Sequence, residues 1–177
     1  VNGKYNIDKV KAWLSGFRDN ERDVDDQFER LERLKARLES CSAPEITDMP
    51  RSPGFATDKM SMMLARKVDL ESSLNNYVER QREYLRRIEY MVERLPKSVE
   101  RTVIRLRYED GMPWADISFT LYGDSEDYLE RESTYLRKVY NLHGDALYDM
   151  AVYFSESGDP EVAFFAEFVP RYRYNRS

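Results

Sequence analysis

Residues 95–123, LPKSVERTVIRLRYEDGMPWADISFTLYG, decide how the chain reads. Pro96 suits the first turn of a helix, where a missing backbone donor has no partner to lose. Val99, Val103 and Leu106 then recur at the spacing of one apolar helix face. The run stops at Glu109-Asp110-Gly111, where glycine is free to take the left-handed conformation that closes a helix. Trp114, Ile117 and Leu121 mark a second short helix, ended by Gly123. Two short helices joined by a tight glycine-bearing turn are the composition cue for a helix–turn–helix unit.

A third helix follows over STYLRKVYNLHGDALYDM, residues 133–150. At 100° per residue, Leu136, Val139, Leu142, Ala146, Leu147 and Met150 share one face. The opposite face carries Thr134, Arg137, Lys138, Asn141 and Asp145. In a major groove those types make sense: Arg chelates guanine, Asn pairs with adenine, and Thr and Lys hold phosphate. The alternative for such a face is a solvated charged surface. His143 falls near the apolar face and reads as a packed, tyrosine-contacting histidine rather than a catalyst. Between Gly123 and Thr134 stands the acidic run DSEDYLERES. Either the third helix starts early, near Ser125, or a loop intervenes. Glu126, Asp127, Glu130 and Glu132 would repel a nearby phosphate backbone.

Upstream, residues 5–95 read as a helical stalk. Ile7, Val10, Leu14, Phe17, Val24, Phe28, Leu31 and Leu38 alternate by 3 and 4, the seam of a coiled coil, with Glu21 and Lys35 as polar interruptions. Gly16 is a soft spot costing roughly 1 kcal/mol against Ala. The helix is expected to stop near Ser40. Residues 41–57 hold three of the seven prolines and read as a loop, with Thr57 or Asp58 capping the next helix. That helix repeats the pattern at Met63, Leu70, Leu74, Tyr77, Tyr84, Ile88, Met91 and Leu95, with Lys67 and Gln81 polar. Each helix is roughly 50 Å long at 1.5 Å per residue, so the two can fold back as an antiparallel hairpin. Placing Ile7 opposite Leu95 pairs Leu14 with Ile88, Phe28 with Leu74, Glu21 with Gln81 and Lys35 with Lys67. These stripes are ordinarily core, but the seam could also join two copies of the chain. Trp13, beside the seam, suits either role.

Residues 151–177 form a tail. Asp159 caps and Pro160 opens a short helix. Val162, Phe164, Phe165 and Phe168 are too apolar to be left in water and are expected to pack on the helix–turn–helix or its partner. Pro170 ends the helix, and Arg171, Arg173 and Arg176 make a basic terminus suited to a frayed end or a phosphate-touching arm.

Composition agrees with an all-α chain. Charged residues make up 34% of the 177, and there are only 7 Gly and 7 Pro. The net charge of −5 provides no global field toward nucleic acid, so DNA binding needs a local patch. A single cysteine, Cys41, excludes an intramolecular disulfide and fits a reducing compartment. One His and one Cys make a zinc site improbable. With no 18-residue apolar run and no basic-then-apolar leader, a cytoplasmic protein without membrane contact is expected. No catalytic constellation, cofactor motif or metal-ligand spacing is present, which points away from an enzyme.

The order LPKSVERTVIRLRYEDGMPWADIS then VYNLHGDAL resembles region four of bacterial sigma factors. It is more closely similar to the sigma-like and ArpU-type late-gene activators of phages and prophages of Gram-positive bacteria. The matching features are Leu95-Pro96, Arg105 to Tyr108, Trp114 and His143 to Leu147, together with a Met49-Pro50 loop. The match is loose over 41–150 and good over 95–147. It implies a sigma-region-four-like helix–turn–helix domain (96–150) after the antiparallel hairpin (5–95), then a short C-terminal helix and basic tail (151–177). It further implies a sequence-specific regulator of double-stranded DNA, with late-gene activation as its role in the host cytoplasm. Arg137 and Asn141 would read bases, while Thr134, Lys138, Arg105 and Arg107 hold the backbone. Two alternatives stand beside it. One is a non-catalytic factor that binds RNA polymerase, a sigma factor or a host defence protein. The other is the small subunit of a DNA-packaging machine.

Overall fold

The computed structural model describes residues 6–42 and 54–168. Among them the protein is all-α, with six α-helices and no strand. The helices are α1 (Ile7–Ser42), α2 (Gly54–Val92), α3 (Ser98–Ile104), α4 (Trp114–Tyr122), α5 (Glu132–Glu156) and α6 (Phe164–Glu167). A π-helical turn, Arg105–Glu109, extends α3, and a 3-10 turn, Pro160–Val162, precedes α6. No helix of the described residues is long and apolar enough to cross a membrane. α2 starts at Gly54, so Thr57 and Asp58 lie inside it rather than capping it. Residues 43–53 of the expected loop, and the basic terminus with Pro170, lie outside the described residues.

The chain forms two compact units, and their boundaries fall inside α1 and α2. One unit joins residues 1–19 to 83–177 and the other holds residues 20–82. The expected boundary at 95/96 therefore lies within the first unit.

The larger core of the first unit joins α1, α2, α5 and the tail. Val10, Trp13, Leu14 and Phe17 from α1 meet Ile88, Met91, Val92 and Leu95, Ile104 and Tyr108, and Ala146, Leu147 and Met150 from α5. Val162 and Phe165 of the tail close the same core. The phenylalanines thus pack on the roots of the two long helices and the end of α5, not on α4. Asp159 caps the 3-10 turn by accepting from the Glu161 amide at 2.9 Å, and also accepts from the Tyr90 and Tyr153 hydroxyls at 2.6 and 2.7 Å. Gly16 has a packing reason that periodicity hides. An added Cβ would come within 2.7 Å of the Tyr84 hydroxyl, which donates to the Trp13 carbonyl one turn earlier.

A second, smaller core of Val103, Ile117 and Val139 fixes α3, α4 and α5 to one another. Val99, expected on the inner face of α3, is 40% exposed, and Ile104 is buried instead. The π-turn accounts for the difference beyond Ile104. One extra residue per turn rotates the face, so that Tyr108 reaches the core while Leu106 is only half-buried.

The turn closes when the Met112 amide donates to the Leu106 carbonyl at 2.8 Å, with Gly111 between them at φ 71°. The Arg18 guanidinium lies against Gly111 and leaves no room for a Cβ. Gly111→Ala should therefore cost about 1–2 kcal/mol for the left-handed backbone alone, read as a lower urea midpoint with unchanged m. An unshifted midpoint would mean that the corner rearranges freely.

In the second unit, Leu31, Leu34 and Leu38 are buried while Phe28 is 53% exposed. The Asn20 amide donates to the Gln81 side-chain oxygen at 2.6 Å, in the place expected for Glu21. The buried side of α1 therefore carries Asn20 and Leu34, while Glu21 and Phe28 are exposed. Lys35 and Lys67 each pair along their own helix, with Glu32 at 2.9 Å and Glu71 at 3.6 Å. Glu71, the partner of Lys67, also acts on Lys35, after Glu32.

Candidate nucleic-acid interface

The outward face of α5 is where sequence and structure meet. Tyr135, Val139, His143, Ala146, Leu147 and Met150 point inward, and Leu136 and Leu142 are half-buried. Thr134, Arg137, Lys138, Asn141 and Asp145 are all exposed. The four non-acidic members recur at helical spacing, so they form one stripe over the first two to three turns. Lys138 is steadied from below, its Nζ 4.4 Å from the Tyr135 ring centroid and 5.6 Å from that of Tyr122. Tyr135 and Tyr122 themselves stand 5.1 Å apart.

The other two expected phosphate contacts sit elsewhere. Arg107 donates to the Met112 carbonyl at 2.9 Å and lies 4.6 Å from the Trp114 ring centroid. It braces the α3–α4 corner, leaving only part of its guanidinium for a ligand. Arg105 is half-buried in the π-turn near the Glu109 carboxyl. Burial pushes that carboxyl above its usual range and Arg105 pulls it back.

The acidic run before α5 is an intervening series of turns, not an early start of the helix. Its anchor is Tyr128, 4% exposed, packed edge-on against Phe119 and tilted against Tyr135. Asp127 accepts from the Tyr135 hydroxyl at 2.5 Å and from Arg131 at 3.1 Å. Those hydrogen bonds, Tyr135 foremost, hold its carboxyl below the usual range. Asp127 is thus engaged by Tyr135 and Arg131, while Glu126, Glu130 and Glu132 remain exposed.

His143 sits under this surface. It is 7% exposed, its Nε2 lies 3.0 Å from the Tyr108 hydroxyl, and Trp114 meets it edge-on at 4.8 Å. Burial first, then the charges of Lys11 and Arg107, lower its pKa from 6.5 to about 4. Burial also pushes the Tyr108 hydroxyl up to about 12, so the phenol donates and the neutral ring accepts. Between about pH 6.5 and 4 only the unfolded chain takes up the imidazole proton, so stability falls as pH drops through that window. The expected loss is roughly 3 kcal/mol. Urea midpoints at pH 7 and 4.5 should differ clearly in the parent and much less in His143→Gln. Equal differences would assign the acid sensitivity to other groups.

Sequence reasoning missed the aromatic floor. Trp114 stands 5.1 Å from Tyr140, which is 46% exposed, so Arg107, Trp114 and Tyr140 form a chain that ends beside Asn141. The signal was present: Trp114, Tyr122, Tyr135 and Tyr140 all flank the basic residues. Among the described residues, no cluster of three or more His, Cys, Asp or Glu side chains could hold a metal ion. No family model matches the chain, and neither a curated protein nor a solved structure shows significant similarity to it.

Proposed function

We propose that the chain is a non-enzymatic, sequence-specific regulator of transcription that binds double-stranded DNA and is of phage origin, acting in late-gene activation in the host cytoplasm. In this reading an antiparallel helical hairpin carries a sigma-region-four-like helix–turn–helix, and a short C-terminal helix closes it. One observation carries the reading. Thr134, Arg137, Lys138 and Asn141 stand exposed as a single stripe on a helix whose other face is fixed by α3 and α4. Arg and Asn are the side chains that make bidentate contacts to guanine and adenine. A helix held on two sides presents them at a set angle. The unusual feature is the nine-residue connection from α4 to α5, which Tyr128 pins in place.

Selection from a randomised duplex library at low salt, where electrostatic binding is strongest, tests this directly. Enrichment of one motif is the expected outcome. Failure to retain any duplex would defeat the reading.

A second reading is a factor that docks on RNA polymerase or another host protein. It draws support from Phe119, 63% exposed, and Leu129, 88% exposed, at the edge of the acidic turns. Under it, the Phe119→Asp/Leu129→Asp variant loses function and the Arg137→Ala/Asn141→Ala variant keeps it. A homodimer also belongs to the proposal. Leu31, Leu34 and Leu38 are already buried, so a second copy would find its apolar surface at Phe28, Met62, Leu64 and Val68, which are 53, 72, 47 and 63% exposed. Light scattering of Val68→Glu against the parent reads that out.

A further inference from the structure

Several cations of the first unit have carboxylate partners: Arg86 and Arg87 share Glu83, Arg94 faces Asp159, Lys97 holds Glu100 and Arg131 holds Asp127. Lys11, Arg18 and Arg107 take part in no ion pair with a described residue. Lys9, Arg101, Arg105, Arg137 and Lys138 likewise take part in none, so what sets these three apart is their placement.

Geometry brings these three together. The Arg18 guanidinium lies on Gly111, between the π-turn and α4. Arg107 occupies the same corner, against Trp114 and the Met112 carbonyl. Lys11, exposed on α1, stands seven residues before Arg18 and so on the same side of that helix. Lys11 and Arg18 are two helical turns apart on one side of α1, roughly 10 Å along its axis. That is about three nucleotide steps at 3.4 Å per strand. The row continues through Trp114 to Tyr140 and so to the stripe on α5. Asp110, exposed at the same corner, offsets one of the three charges.

We propose that Lys11 and Arg18 of α1, with Arg107, form a second phosphate-binding edge that grips the DNA backbone beside the groove read by α5. This rests on the DNA-binding reading above; it adds Lys11 and Arg18 to Arg107, which the resemblance already places on the backbone, and its contacts are with phosphates rather than base edges. Phosphate contacts set register and affinity and carry no base information. The N-terminal root of the stalk is then part of the binding surface, which explains why the first turns of α1 are built into the unit that holds α5.

The test is a salt series of anisotropy titrations on the selected duplex and on an unrelated one, with heparin chromatography as a base-free polyanion probe. Lys11→Ala/Arg18→Ala should weaken both duplexes by the same factor. The slope of log K against log salt should fall by about 1.8, or 0.9 for each lost phosphate contact. Preference for the motif should be unchanged, and elution from heparin should move to lower salt. Arg18→Lys should restore most of the slope if charge is what matters. If the guanidinium serves only to pack on Gly111, the lysine variant will behave like the alanine one and the proposal fails. Equal melting curves for parent and variants separate loss of contact from loss of fold. An unchanged slope, or a loss confined to the selected motif, overturns the proposal. If the parent shows no motif preference but its heparin and duplex binding still depends on Lys11 and Arg18, the edge stands and the role given to α5 falls. If the parent binds neither probe, both are wrong.

Discussion

Replacing Arg137 and Asn141 together by alanine should abolish the preference for a selected duplex over a scrambled one while leaving the fold intact. Both side chains are exposed on α5, so truncating them removes no core contact, and stability should stay within about 0.5 kcal/mol. A well-placed bidentate contact is worth about 1–3 kcal/mol of discrimination against the wrong base. If the two add, the loss is roughly 30-fold to 10⁴-fold in relative affinity. Binding to the scrambled duplex should change far less, because Lys138, Lys11 and Arg18 are untouched. The paired measurement is competitive anisotropy with both duplexes, beside a thermal melt of each protein. A double variant that keeps its motif preference would remove base reading from α5. The exposed Phe119 and Leu129 would then become the surface to pursue.

That experiment bears on the part of the molecule the sequence exposes best. The face of α5 could be phased because a helix seated on two neighbours buries a wide apolar arc, and Val139, Ala146, Leu147 and Met150 mark it out. Tyr135 and His143 extend that arc, and as aromatic and polar residues they carry less weight in an apolar count. The closing glycine at 111 was equally legible, since few residues other than glycine tolerate φ 71°. The register of α1 was not. From Val10, steps of 3 then 4 and of 4 then 3 both reach Phe17, passing through Trp13 or Leu14. Both of these are buried, so the first unit gives no way to choose. Only further along does the choice matter, where Leu34 is buried and Phe28 is not. In an apolar count a large aromatic residue at seam spacing outweighs Asn20 and Gln27, yet Asn20 makes the hydrogen bond to Gln81.

Partners are harder to read than faces. Periodicity says which side of a helix is buried, never against what. Hence the sharing of one core by Val10, Ile88, Met150 and Phe165, residues from both ends of the chain, had no trace in local pattern. Nor did the π-turn, whose extra residue shows in the amide of Asp110 reaching back to the Arg105 carbonyl. The candidate site suffered in the same way. Thr134, Arg137, Lys138 and Asn141 were found because they share one helix, while Lys11 and Arg18 lie more than a hundred residues away in sequence and meet the corner only through folding.

Trp13 is where that long-range closure is concentrated, and Trp13→Ala should be the most damaging single change in the first unit. Its side chain is 1% exposed. It stacks on Tyr84 at 5.9 Å, takes Phe154 and Phe165 edge-on at 5.3 and 6.3 Å, and meets Phe164 at 5.7 Å. Those rings come from α2, from the end of α5 and from the tail, so one indole spaces three segments. Removing a buried Trp typically costs about 3–5 kcal/mol, of the same order as the 5–15 kcal/mol of a whole domain. The cavity cannot refill readily, because Phe154 and Phe165 are already stacked on each other at 3.8 Å and Tyr84 is tied to the Trp13 carbonyl. Urea unfolding followed by the fluorescence of Trp114, the remaining tryptophan, should show the midpoint falling steeply. The tail should also become cleavable near Gly158 at protease concentrations the parent resists. Trp13→Phe should recover part of the loss, since a smaller ring still fills some of the space. A change below about 1 kcal/mol would put Trp13 in the range of an ordinary substitution. The tail and the stalk root would then be docked by something other than this aromatic cluster.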